Sequence, residues 1–267
     1  MRNISERTRP KKVNEIIGRR RVSGDLLERN VMIRALFIDI DDTMLDFAGY
    51  VKETMKTGFA KYSLPAYESW MYDVFHKENG KLWQALERGE IVFEDIKRDR
   101  WNKIFAALGI SMDGPVFEDY FRACLHDSGI LIPGAKETLE DLSGRYLLFV
   151  ASNGPDEQQR NRLKVAGIDD LFIDVFTSGE IGASKPTKEF FDRCIERVNS
   201  FTEQNDIRPL EKDEILMVGD SLTSDISGAV EYGLKSCLFD PSGQLFGKQQ
   251  GVDYEIKDWS ELKSILT

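Results

Sequence analysis

The stretch ALFIDIDDT, residues 35–43, holds a continuous apolar run, Ala35–Ile40, that breaks into acids. Such a run fits a strand covered on both faces, because alternation is expected only where one face meets water. Three runs repeat the pattern downstream: Tyr146–Ala151 (YLLFVA), Ile173–Thr177 (IDVFT) and Ile215–Val218 (ILMV), with a shorter fifth at Ser236–Phe239 (SCLF). Helical stripes lie between them. Phe190, Phe191, Cys194, Ile195 and Val198 recur at i, i+1, i+4, i+5 and i+8, one face of a helix. Strands alternating with helices predict a layered α/β fold built on a parallel sheet.

One interval breaks the rhythm. From Phe47 to His126 the sequence offers helical stripes and no convincing strand: Trp70, Met71, Val74 and Phe75; Trp101, Phe105 and Leu108; Val116, Phe117, Tyr120, Phe121, Cys124 and Leu125. The expected organisation is an α/β core over 32–46 and 128–267, with a helical cap over 47–127 inserted between the first two strands. An insertion there sits above the carboxyl ends of the strands, where sheets of this kind bind ligands, and is placed to act as a lid. The turn around Gly49 and the stretch Asp127–Pro133 are its candidate hinges. Asn199–Asp213, polar and containing Pro209, reads as a linker.

Composition narrows the class. Of 267 residues, 41% are apolar and 31% charged, which excludes wholesale disorder and collagen and leaves ample apolar material for a core. No apolar run approaches the roughly 18 residues of a membrane span. Net charge is −10, but the first 31 residues carry +5, leaving −15 on the rest. A body that acidic repels phosphate backbones, so no nucleic acid polymer and no membrane is expected as a partner. Residues 1–31 lack an apolar central stretch and contain Glu6, Glu15, Asp25 and Glu28. They read as a flexible basic extension rather than a secretory signal or transit peptide. Three scattered cysteines, Cys124, Cys194 and Cys237, fit small core residues in a reducing, cytoplasmic setting.

The chemistry gathers where strands end. The first run leads into Asp39, Asp41, Asp42 and Thr43; the second ends at Ser152-Asn153-Gly154. The third leads through a loop to Lys185-Pro186, and the fourth ends at Gly219-Asp220-Ser221, with Asp225 beyond. Each alone has a bland reading: a helix cap for Ser152 or for the acid cluster, a helix start for Lys-Pro, a turn for Gly-Asp. Their shared position at successive strand ends is harder to assign to caps. Converging acids need a cation, and a hard one with oxygen ligands, Mg²⁺, fits. Lys185 and the Ser152 hydroxyl would supply a second positive, hydrogen-bonding side.

The set DxDxT (Asp39, Asp41, Thr43), Ser152, Lys185 and GDxxxxD (Asp220, Asp225) resembles, in order, the four motifs of the haloacid dehalogenase-like (HAD) hydrolase superfamily. The wording SNGPDEQQRNRLKVAGI, GASKPTKEFF and MVGDSLTSDISGA is similar to its branch with a helical cap, and within it to pyrimidine 5′-nucleotidases. The resemblance implies a Rossmann-like parallel-sheet core with an inserted α-helical cap domain. It also implies an Mg²⁺-dependent phosphatase acting on a small phosphate monoester, such as a nucleoside monophosphate, through an aspartyl-phosphate. Carried over, Asp39 is the nucleophile and Asp41 the general acid and then base, while Lys185 neutralises charge. Ser152, with Asn153 and neighbouring N–H groups, holds the phosphoryl oxygens. Asp39, Asp220 and the Asp41 carbonyl hold the metal, and Asp225 supports Lys185 or a water on the metal.

Four other readings stand beside it. A receiver-type signalling module also uses acids at strand ends, Mg²⁺, a hydroxyl and a lysine, but is roughly half this length and lacks the helical insertion. A haloacid dehalogenase attacks carbon, needs no Mg²⁺ and lacks the second acid of the first motif, which is present here as Asp41. A phosphomutase of the β-phosphoglucomutase kind keeps both acids. A non-catalytic binding protein on the same fold has little need of the full set. In the insertion, His76, Lys77, Trp83, Arg100, Trp101 and Arg122 are candidates for substrate recognition, each weighed against a surface or core role. Neither His76 nor His126 lies in a motif, so no histidine chemistry is expected.

Overall fold

A computed structural model describes residues 32–266 of the chain. The basic extension read over residues 1–31 lies outside them. Six parallel strands form one sheet: β1 (Ala35–Ile38), β2 (Leu147–Ser152), β3 (Asp174–Thr177), β4 (Ile215–Gly219), β5 (Lys235–Phe239) and β6 (Tyr254–Ile256), in the order β3-β2-β1-β4-β5-β6. This is a Rossmann-like α/β fold, and the order reverses between β1 and β4.

The apolar runs are continuous because both faces are covered. In β1, Leu36 and Ile38 pack one way, into a core shared with Ala135, Leu139 and Leu142 of α5 (Ala135–Leu142) and with Trp259 and Leu262 of α10 (Trp259–Ile265). Ala35 and Phe37 pack the other way, against Phe190, Phe191, Cys194 and Val198 of α8 (Lys188–Gln204). The same period of two sorts Leu148 and Val150 from Leu147 and Phe149 in β2, and Leu216 and Val218 from Ile215 and Met217 in β4. Two apolar cores therefore sandwich the sheet.

The chain from Phe47 to His126 is helical: α1 (Phe47–Lys61), α2 (Trp70–Glu87), α3 (Phe93–Leu108) and α4 (Gly114–His126). These helices bury a third core of their own, with Trp101 packed on Phe117 at a ring separation of 4.3 Å and Phe75, Phe105 and Phe121 around it. The stretches that lead out to this layer and back lie side by side. Asp46 N–H donates to the Ile130 carbonyl at 2.9 Å, and Ile132 N–H to the Met44 carbonyl at 2.9 Å.

Beyond one-residue shifts at the ends of β2 to β5, the elements differ from the sequence reading in four places. The strand expected over Ala35–Ile40 stops at Ile38; Asp39 N–H still bonds the Val218 carbonyl at 2.9 Å, but the chain then curls, with Met44 and Leu45 N–H both on the Ile40 carbonyl. Gly49 is not in a turn: Asp46 caps α1, accepting from Gly49 N–H at 2.7 Å, and the helix is already under way. Asn199–Gln204, the start of the expected linker, belongs to α8 because Phe201 and Thr202 continue its buried stripe. Strand β6 escaped the sequence reading, its three residues Tyr-Glu-Ile being too short and polar for a buried run. No described helix is long and apolar enough to cross a membrane.

Candidate active site

The reversal point of the sheet decides what meets there. Asp39 is the first residue after β1 and Asp220 the first after β4, and β1 and β4 are hydrogen-bonded neighbours, Ile38 level with Val218. Ser152 closes β2 on the other side of β1. Lys185 follows β3 and the short helix α7 (Ser178–Ile181), and reaches back beneath them.

Lys185 is 1% exposed, and its ammonium has three acceptors: Asp39 Oδ1 at 2.7 Å, Asp225 Oδ1 at 2.6 Å and the Ala151 carbonyl at 2.6 Å. All three donors are thereby committed. Burial alone would lower the Lys185 pKa; the Asp225 and Asp39 carboxylates outweigh it and hold the pKa above its ordinary value, so the charge stays. The backbone of Lys185 is clamped too. The Asn153 side chain donates to its carbonyl at 2.9 Å and accepts its N–H at 2.8 Å. Asn153, expected to hold substrate, thus uses both ends of its amide on the lysine loop, although it also lines the cavity.

Asp225 sits in a single π-helical turn, Leu222–Ile226, and its second oxygen accepts from Ser221 N–H at 3.0 Å. Gly219 makes that approach possible, since a Cβ there would lie 2.3 Å from Asp225 Oδ2. Asp220 accepts from the Thr43 hydroxyl at 3.2 Å. Ser152 Oγ accepts from Gly154 N–H at 3.1 Å and from Gln159 Nε2 at 3.0 Å, which fills both acceptor positions and leaves its hydroxyl hydrogen free to donate into the cavity.

Carboxylate oxygens of Asp39, Asp220 and Asp225 all fall within 4.8 Å of one another, with Lys185 paired to Asp39 and Asp225. Burial pushes the Asp39 carboxyl up to about 7, against the pull of Lys185, and raises Asp220 well above the usual carboxylate range, with Asp225 and Asp39 adding to it. A cleft with this excess of hard oxygen donors fits a divalent cation such as Mg²⁺.

Asp41 faces elsewhere in the same cavity. It is held by Arg162 and Gln159 of α6 (Asp156–Ala166), which no strand-end motif contains. Their signal was in the sequence all the same. The buried stripe of α6 is Gln158, Gln159, Arg162, Leu163 and Ala166, the spacing of an apolar face with three polar residues written into it.

The cavity has a volume of about 200 Å³. Its floor is the strand-end cluster. Its far wall comes from the helical layer: Asn79, Trp83, Glu87, Phe93, Arg100 and Arg122. Trp83 and Phe93 meet at 6.0 Å, and the Arg122 guanidinium lies 5.3 Å from the centre of the Phe93 ring. Arg100 is buried and bound through two nitrogens to Glu118. Of the other candidates, Trp101 is in the helical core and His76 and Lys77 are exposed.

A family model described as haloacid dehalogenase-like hydrolase matches residues 33–233. The HAD-hydrolase YfnB of Bacillus subtilis is 30% identical over 233 residues, covering 87% of this chain and 95% of that protein. Its magnesium-bound crystal structure superposes with a TM-score of 0.77, over 88% of this chain and 99% of that one. The pyrimidine 5′-nucleotidase PynA of Streptococcus pneumoniae is 28% identical over 232 residues, covering 86% of this chain and 94% of its own. A glyceraldehyde 3-phosphate phosphatase of Methanothermobacter thermautotrophicus is 27% identical over 244 residues, covering 88% and 100%.

Proposed function

We propose, for a chain that belongs to the haloacid dehalogenase-like hydrolase family, that it is a phosphatase releasing phosphate from a small monoester by way of Asp39. The observation that carries this reading is the buried lysine, Lys185, clamped on Asp39 at 2.7 Å, in a cleft that Asp220 also lines. Relatives named for a pyrimidine nucleotide and for glyceraldehyde 3-phosphate support a small phosphorylated metabolite as the substrate class. Nucleoside monophosphates are the first to test, because Trp83 and Phe93 offer apolar ring surface for a base.

Phosphoryl transfer asks mainly for positioning and neutralised charge. Asp39 attacks phosphorus, the ester oxygen leaves, and Asp41 gives it a proton. Water then attacks the phosphoryl group on Asp39, Asp41 takes its proton, and inorganic phosphate and free Asp39 result. Lys185 offsets charge on Asp39 throughout, and the Ser152 hydroxyl donates to a phosphoryl oxygen. Asp39, Asp220 and the Asp41 carbonyl would hold Mg²⁺, which supplies positive charge where an anionic nucleophile meets an anionic ester. Asp225 keeps Lys185 in place. The layer 47–127 serves as a cap that excludes bulk water.

The test is phosphate release from nucleoside monophosphates and sugar phosphates. Release should stop in EDTA, return with Mg²⁺, and be abolished in Asp39→Asn with the far-ultraviolet spectrum unchanged. Near-normal turnover by that variant would remove Asp39 from its role; full activity in EDTA would remove the metal.

A further inference from the structure

Asp41 does not stand alone. Its Oδ1 pairs with Arg162 Nη1 at 2.6 Å, and its Oδ2 accepts from Gln159 Nε2 at 2.8 Å. Arg162 Nη1 also donates to Gln159 Oε1 at 2.9 Å, so the three side chains close a ring. Gln159 extends it to Ser152 Oγ at 3.0 Å. The same guanidinium also reaches the other way, Nε donating to the Ser128 carbonyl at 3.2 Å. Ser128 lies on the stretch by which the chain returns from the helical layer. Helix α6 grips that stretch twice more: Asn161 Nδ2 donates to the His126 carbonyl at 2.8 Å, and a Cβ on Gly129 would lie 2.5 Å from Ala166 N.

A merely structural pair would look different. The Asp41 side chain is 33% exposed, on the cavity wall, where water can solvate it without help. Arg162 is the buried partner, at 1%. What the pair adds to a carboxylate that water already reaches is a fixed orientation. A misplacement of about 1 Å at a reacting centre can cost on the order of 10²-fold in rate.

We propose that Arg162 is a positioning residue, which with Gln159 fixes the Asp41 carboxyl so that a lone pair they leave open carries the proton given to the leaving oxygen, and ties it to the return stretch 126–129. The proposal rests on the reading of Asp41 as the acid of the first displacement.

The experiment compares kcat/KM for p-nitrophenyl phosphate, whose leaving group needs little proton help, with that for an alkyl phosphate the wild type hydrolyses. Because it compares two substrates on one protein sample, the alkyl-to-aryl ratio cancels any loss of folded protein. Asp41→Asn should lower the ratio, general acid help being worth about 10²–10⁴-fold. Arg162→Met should lower it by about tenfold or more, Arg162→Lys less, and Arg162→Met should have no further effect on it in the Asp41→Asn background. If Asp41→Asn lowers the ratio while Arg162→Met leaves it unchanged or raises it, the positioning role is overturned and the acid stands. If Asp41→Asn itself leaves the ratio unchanged, the acid role falls and this proposal with it.

Discussion

Residue by residue, the site is an exercise in holding charges that would rather be in water. Asp39 is 8% exposed, and burial pushes its carboxyl up to about 7 despite Lys185. A folded-state pKa above the unfolded value means that the folded chain keeps an extra proton between about pH 4 and pH 7. The stability linked to that proton is fully present below the unfolded pKa and is lost as pH rises through 7. Asp39→Asn lacks this loss. In metal-free buffer its melting temperature relative to wild type should therefore climb from pH 4 to pH 7, as read by thermal denaturation; a flat difference contradicts the assignment. The acids themselves are legible in the sequence because each interrupts or ends an apolar run. Gln159 and Arg162 stand out less, as polar members of a stripe at apolar spacing, buried for their hydrogen bonds.

Among elements, what the sequence shows best is what carries its own periodicity. The runs of β1, β2 and β4 are plain because both faces are buried, and the stripes of α3 and α4 because their aromatic residues face one core. Short or mixed elements stay hidden, as β6 does. The end of β1 is hidden because the apolar run goes on to Ile40, which stays fully buried after the strand has ended. Since the helical layer has a core separate from the two that flank the sheet, it can be tested separately. Trp101 is fully buried there, against Phe75, Phe105, Phe117 and Phe121. Trp101→Ala should cost about 3–5 kcal/mol in urea denaturation. A loss below about 1 kcal/mol would mean that this core is not what holds the layer together.

At the scale of the whole molecule, the order of the strands does the assembling. Periodicity names strands but not their neighbours, so the meeting of Asp39 and Asp220 is legible only through the resemblance of the motifs, not through the pattern of the strands. The pairing of β1 with β4 at the reversal of the sheet sets the two acids side by side, and the loop after β3 brings Lys185 beneath them. The helical layer, inserted after β1, completes the cavity from the opposite side. In the proposed reaction a phosphoryl group passes through Asp39. Acid quenching of the enzyme during turnover, followed by borohydride reduction and peptide mass spectrometry, traps that step, since reduction converts an aspartyl-phosphate to homoserine. Homoserine is expected at position 39 and at no other aspartate; an enzyme quenched in full turnover with position 39 unmodified, or with the label on Asp41 or Asp220, would overturn the role of Asp39.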